Sequence, residues 1–191
     1  MGDWYVGLLA LAVFHFAFFR QFYFVNPWCY ATSELVEQVF PSWRLLGKRG
    51  TDDPYYYPHY GAIPFLSAWY PPHRLTAWVG SRWSLDTSFL CLCITLLCHF
   101  LWASIGAYWL FRPCGALVAW YGAVTLTHNA YGIKQNPTII YTLAWVPWLL
   151  HAAYTQNWWL FGWSIGIVIL ACYWPIGIYA VGLGCLLWLW Q

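Results

Sequence analysis

Charge is what this sequence most lacks. Only 7% of its 191 residues are Asp, Glu, Lys or Arg, where a soluble domain carries roughly 25%. A chain of this length needs polar surface to cover its core. With 62% hydrophobic residues and a mean hydropathy of +0.53, this one must turn its exterior to lipid. The net charge of +2 is weak and the basic residues are scattered, so no footprint for DNA or RNA is present. Paired cysteines are lacking too. Of the seven, Cys91, Cys93, Cys98, Cys172 and Cys185 fall inside apolar runs, where Cys behaves as a small hydrophobe. Cys91-x-Cys93 misses the two-residue spacing of a zinc or redox pair, and only Cys29 and Cys114 lie near run ends. No positive segment precedes the first apolar run and no small-residue cleavage site follows it. That run is therefore expected to stay as a membrane anchor.

Aromatic residues are what the sequence has in excess: 17 Trp, 15 Tyr and 12 Phe. Many Trp fall near the ends of apolar runs, as expected of rings that settle at the headgroup level. The runs set out an all-α, polytopic transmembrane bundle of about six spans. The first covers residues 1–25 and is ended by Asn26-Pro27. Thr87 to Phe111, Ala116 to Thr127, Thr138 to Tyr154 (interrupted by Pro147), Trp158 to Tyr173 and Pro175 to Trp190 supply the others within residues 85–191. His128 to Asn136, with Lys134, reads as a short polar loop, and Arg112-Pro113-Cys114-Gly115 as a tight turn. Residues 26–84 hold most of the charge and form the one long loop. Within it, Ser33 is placed to cap a short helix that Pro41 stops, with Glu34 and Glu37 near its positive end. Tyr70-Pro71-Pro72-His73-Arg74 marks a rigid turn, and Leu75 to Trp83 a second juxtamembrane helix. Orientation is not set by charge, because Arg112 and Lys134 fall on opposite sides and a loop near 60 residues escapes the positive-inside rule.

The loop's acidic pair is the first chemical candidate. Asp52 and Asp53 closely follow Lys48 and Arg49 and are bracketed by glycines and Pro54. A carboxylate there can act as a general base, while the neighbouring cations can hold a phosphate or diphosphate. Asp-Asp-Pro is equally an ordinary turn starter. Two adjacent carboxylates can also serve a divalent metal, and the sequence leaves that role open. His15 and His99, in different spans, suit either packing or a bis-histidine haem site. His128 and Asn129 can reach the aqueous boundary, and His59 and His73 read as surface residues of the loop.

Several ordered motifs then carry a family resemblance. Asp52-Asp53-Pro54, Gly61-Ala62-Ile63-Pro64-Phe65 and Tyr70-Pro71-Pro72 resemble the first external loop of the YfhO-like bacterial membrane proteins. Ala107-Tyr108-Trp109-Leu110-Phe111-Arg112 resembles their second span, and His128 followed by Ala144-Trp145-Val146-Pro147-Trp148 their histidine loop and Trp-x-Pro span. The likeness covers roughly residues 1–155. That family is similar to the GT-C glycosyltransferases, which use lipid-phosphate sugar donors. The resemblance implies a multi-pass protein of the bacterial cytoplasmic membrane with its long loop outside. It implies Asp53 as catalytic base, Asp52 as its neighbour, and Lys48, Arg49, Arg74 and His128 around the donor phosphate. Such transferases are much longer, so the chain is expected to be the N-terminal part of one. The partners implied are the bilayer, a polyprenyl-phosphate sugar donor, and other membrane subunits or the missing C-terminal part. The rival expectation is a non-catalytic membrane subunit that binds partner helices and lipid.

Overall fold

The computed structural model describes residues 3–21, 25, 26, 28, 35, 39–49, 69–131, 137–171 and 174–190. Every regular element among them is helical. Eight α-helices follow in chain order: α1 (Asp3–Phe18), α2 (Phe40–Arg49), α3 (Pro71–Gly80), α4 (Leu85–Phe111), α5 (Ala116–Tyr131), α6 (Pro137–Tyr154), α7 (Trp158–Ala171) and α8 (Trp174–Trp190). A 3-10 turn, Arg112–Cys114, joins α4 to α5 through Gly115, whose φ of 107° suits only glycine there.

The helices reproduce the apolar runs, with boundaries set by local chemistry. Ser84 caps α4, its hydroxyl accepting the backbone N–H of Thr87 at 3.3 Å, and Asp86 lies in the favourable first turn. α6 carries Pro147 inside it without stopping. Other boundaries differ from expectation. α1 is regular from Asp3 to Phe18, and beyond it the Val25 N–H still donates to the Gln21 carbonyl at 3.1 Å, residues 22–24 lying outside the described set. Pro41 does not stop a helix but occupies the first turn of α2, where its missing N–H costs nothing. Most of the helix expected at Ser33–Phe40 lies outside the described residues. Pro71 and Pro72 likewise open α3 instead of forming a turn ahead of it, after an extended Tyr70 (φ −65°, ψ 114°). α5 runs past Thr127 through His128 to Tyr131, because the sequence offers no breaker before Gly132.

α4 is the central helix and serves as a ruler for the rest. The hydroxyl of Ser88 donates to the carbonyl of Gly80 at 2.6 Å, the thiol of Cys91 to that of Thr76 at 3.7 Å, and Tyr70 meets His99. α3 therefore runs antiparallel to α4, from its N-terminus to its middle. α2 is antiparallel to α3, with Trp43 against Gly80 and Gly47 against Ala77. A Cβ on either glycine would overlap its neighbour. The C-terminal end of α2 and the start of α3 thus point toward the middle of α4. α1 crosses the other half of α4, with Phe19 stacked 5.9 Å from Phe100 and Trp4 5.7 Å from Trp109. α6 starts at the same middle level, the Tyr141 ring 4.6 Å from that of His99, and ends near Trp109. α7 and α8 both pack on α6 and scarcely on each other.

Among the described residues, one helix is long and apolar enough to cross a membrane, α4 with the turn after it (Leu85–Cys114). Apolar helices of 10–17 residues accompany it. Their outer faces carry large apolar side chains in the open, including Val6 and Leu9 on α1, Leu117 on α5, Trp159 on α7, and Tyr179 and Leu189 on α8.

Candidate functional site

The most concentrated polar chemistry among the described residues lies at the midpoint of α4, where α3 begins. The geometry there fixes the direction of the protons around His99. Nδ1 of His99 is 2.6 Å from the carbonyl of Thr95. A carbonyl only accepts, so Nδ1 carries the hydrogen and Nε2 of the neutral ring is the acceptor. Tyr70 therefore donates its hydroxyl to Nε2 at 2.7 Å. The indole N–H of Trp145 in turn donates to the Tyr70 oxygen at 2.9 Å. The result is a directed chain, Trp145 to Tyr70 to His99 to Thr95, which ties α6, α3 and α4 together. Beside it, Nδ1 of His73 lies 2.9 Å from the Tyr141 hydroxyl, and the Tyr141 ring stands 5.0 Å from that of Tyr70.

Burial sets the electrostatics. His73 is nearly inaccessible. Burial, and then the neighbouring His99, pull its pKa down to about 3, so it is neutral at ordinary pH. Burial pushes the Tyr70 hydroxyl well above its usual range, against a smaller opposing effect of the Trp145 hydrogen bond. The expectation of His73 at the surface is corrected by these contacts. Because the helix starts at Pro71, Tyr70, His73 and Ala77 fall on one face at i, i+3 and i+7, and that face is the buried one. Tyr70, Tyr141 and Trp145 were not singled out by sequence reasoning. Tyr141 and Trp145 share a face of α6 at i, i+4, and that spacing was the available signal.

Asp52, Asp53 and His59 lie outside the described residues. Lys48 is exposed in the last turn of α2, and Arg49 ends that helix. Arg74 is exposed in the first turn of α3, its guanidinium carbon 5.0 Å from the centre of the half-exposed Trp69 ring. The antiparallel packing brings Lys48, the backbone of Arg49 and Arg74 to the same end of the α2–α3 hairpin. Arg49 is also the last described residue before the segment that holds both aspartates. His128 lies in the last turn of α5 rather than in a loop, and its side chain is outside the described set.

His99 offers no nitrogen to a haem iron, since one ring nitrogen donates to Thr95 and the other accepts from Tyr70. Among the described residues, no group of three His, Cys, Asp or Glu is placed to hold a metal ion. Compared with family models, with curated proteins and with solved structures, the chain gives no match.

Proposed function

We propose that the chain is a multi-pass protein of the bacterial cytoplasmic membrane, and that its loop serves transfer of a sugar from a polyprenyl-phosphate carrier to a cell-envelope acceptor. Six passes, α1 and α4 to α8, are supported by their lengths and surfaces. α1, α5, α6, α7 and α8 hold 16, 16, 18, 14 and 17 residues, about 21–27 Å at 1.5 Å each, against a hydrocarbon core of about 30 Å. Their exposed faces are apolar, and Trp4, Trp109, Trp158 and Trp188 gather at one end of the bundle, as interfacial anchors do.

The transfer reading is carried by one observation, the placement of Lys48, the backbone of Arg49 and Arg74 at the same end of the antiparallel α2–α3 pair. Asp53 takes the proton of the acceptor hydroxyl as its oxygen bonds to the sugar carbon. The bond from that carbon to the phosphate oxygen breaks, and the cations stabilise the leaving phosphate. His128, in the last turn of α5, is assigned to the donor phosphate by the resemblance alone, and the paired carboxylates are the groups that would hold a divalent metal. The roles come from the YfhO-like and GT-C resemblance, with the chain as the N-terminal part of such a transferase. In a complementation or sugar-transfer assay at matched membrane expression, Asp53→Asn lowers transfer about 10²–10⁴-fold, or roughly 3–5 kcal/mol of barrier. Asp52→Asn costs less and Glu34→Gln little. Near-normal transfer by both aspartate variants removes the catalytic role. A second reading, a non-catalytic subunit that binds partner helices and lipid, is favoured by the directed chain at His99, which spends its polar groups on packing.

A further inference from the structure

We infer that Tyr70 is a redox-active phenol, which gives one electron through the indoles of Trp145 and Trp102 to lipid peroxyl radicals at the bundle surface, while its proton passes to His99. A phenol that loses an electron becomes a strong acid. Its oxidation is therefore easiest where a base already accepts the phenolic hydrogen. Tyr70 has that base, because its hydroxyl donates to Nε2 of His99 at 2.7 Å. The acceptor is preset. Nδ1 of His99 is held by the Thr95 carbonyl at 2.6 Å, so Nε2 keeps its lone pair toward Tyr70. After the proton moves, the imidazolium needs two acceptors and finds both in place, the Thr95 carbonyl and the Tyr70 oxygen. No side chain has to turn.

A path for the electron meets the same oxygen. The indole N–H of Trp145 donates to it at 2.9 Å. The Trp145 ring stands 5.5 Å from that of Trp102, and Trp102 is stacked 4.4 Å from Trp148. Tyr70 is 1% exposed and Trp102 38%, so the rings lead from a sealed phenol to an indole open on the outer side of α4. Tyr141 faces His73 at 2.9 Å in a similar way, but the direction of that bond is not fixed, and it supplies the control. The step balances. The O–H bond of Tyr70 breaks and an N–H bond forms on His99. The peroxyl radical takes the electron, becomes a peroxide anion and draws a proton from water at the bilayer surface. The phenol is oxidised to a neutral phenoxyl, the peroxyl is reduced to a lipid hydroperoxide, and the hydroxide left in water balances the imidazolium.

The choice of oxidant rests on the membrane reading above, and the transfer inside the protein does not, so the test has two arms. In the first, the full chain in detergent is flash-oxidised with a ruthenium tris-bipyridine sensitiser and persulfate, then frozen for EPR. The wild type gives a tyrosyl radical coupled to a histidine nitrogen, and isotopic labelling of histidine changes that coupling. Tyr70→Phe loses the signal and Tyr141→Phe keeps it. Trp102→Leu, which touches neither hydrogen bond of Tyr70, lowers the yield to the background of Tyr70→Phe. If Tyr70→Phe does not fold, the labelling and Trp102→Leu decide. A wild-type radical without histidine coupling overturns the inference, and so does a signal that persists in Tyr70→Phe or a full yield in Trp102→Leu. In the second arm, vesicles of unsaturated phosphatidylcholine carry a lipid-soluble azo initiator. Wild-type protein delays hydroperoxide formation longer than Tyr70→Phe or Trp102→Leu does. Equal delays overturn the peroxyl radical as the oxidant. A chain that does not enter vesicles fails the membrane reading instead, and the EPR arm still decides the transfer.

Discussion

The two halves of α4 are built from one continuous apolar sequence but packed by different rules. From Leu85 to Cys98 the buried positions are filled by Phe89, Leu92, Cys93, Leu96 and Leu97, and a short amphipathic hairpin covers them. From His99 to Phe111 the buried positions are His99, Phe100, Ala103, Ser104, Gly106, Ala107 and Tyr108, more of them small, and Ala107 and Tyr108 pack with Ala119 and Ala123 of α5. Large side chains exclude water, whereas small ones bring backbones together where there is no water to exclude. A hydropathy profile treats the halves alike, because it sums transfer preference and ignores what covers each face. Among the described residues the join between them is where buried polar side chains gather, and there the bonds of His99 have a fixed direction.

The comparison is broken most directly by truncation in the first half. Leu96 is fully buried, so Leu96→Ala should cost about 2–5 kcal/mol, read as a fall in unfolding free energy in detergent. A cost below about 1 kcal/mol would mean that the hairpin closes over the cavity, or that it does not cover this face. Next comes the join. Tyr70→Phe keeps the ring but leaves Nε2 of His99 and the indole N–H of Trp145 without their partner, a loss of roughly 2–6 kcal/mol at about 1–3 per buried unsatisfied group. If Tyr70→Phe is neutral while Leu96→Ala is not, the directed chain contributes no stability and only hydrophobic contact holds the hairpin.

Acid tests the same join more gently. His73 titrates near its ordinary 6.5 when unfolded and at about 3 when folded. Between those values the unfolded chain binds a proton that the folded chain does not. Stability from neutral His73 is therefore full above 6.5 and falls as pH drops toward 3. At about 1.4 kcal/mol per pH unit, the loss from pH 6.5 to 5 is about 2 kcal/mol. The groups that face the imidazole are Tyr141 and His99. His73→Gln should flatten this part of the stability–pH curve. An unchanged slope in that variant would assign the acid loss to other groups.

Much of this fold was legible in the sequence, for reasons the residues make plain. Five of the six apolar runs reappear as helices with ends within a few residues, since Pro113, Gly115 and Asn157 punctuate them. The sixth, the first, is a regular helix to Phe18, and part of its expected end lies outside the described residues. The juxtamembrane helices were legible in kind but not in extent. Pro41 looked like a stop and Pro71 like part of a turn, and each lies in the first turn of a helix, where no N–H is needed. The polar cluster was illegible because α3 is turned against expectation. Its histidine faces inward and Leu75 and Trp78 face out, so ordinary reasoning about hydrophobic faces chooses the wrong side. The proposed catalytic pair was legible as a motif, and Asp52 and Asp53 lie outside the described residues.

The smallest expected effect sharpens the comparison by making one substitution in two places. Gly106 lies on α4 within the bundle, and a Cβ there would come 2.7 Å from Nε1 of Trp148. That indole donates to the Trp102 carbonyl at 3.0 Å and stacks on the Trp102 ring, so it can yield only by giving up a hydrogen bond. Gly106→Ala should therefore destabilise by about 1–3 kcal/mol. Gly166 lies on α7, exposed, and a Cβ there meets nothing within 4 Å. With no clash, the better helix propensity of alanine should raise stability by up to about 1 kcal/mol. The signs are opposite because one glycine is a contact and the other is open space. Unfolding of both variants in the same detergent decides it. If Gly166→Ala is destabilised as much as Gly106→Ala, the open face of α7 is covered in the assembled protein. The second half of α4 would then be only part of a larger helix-packed surface.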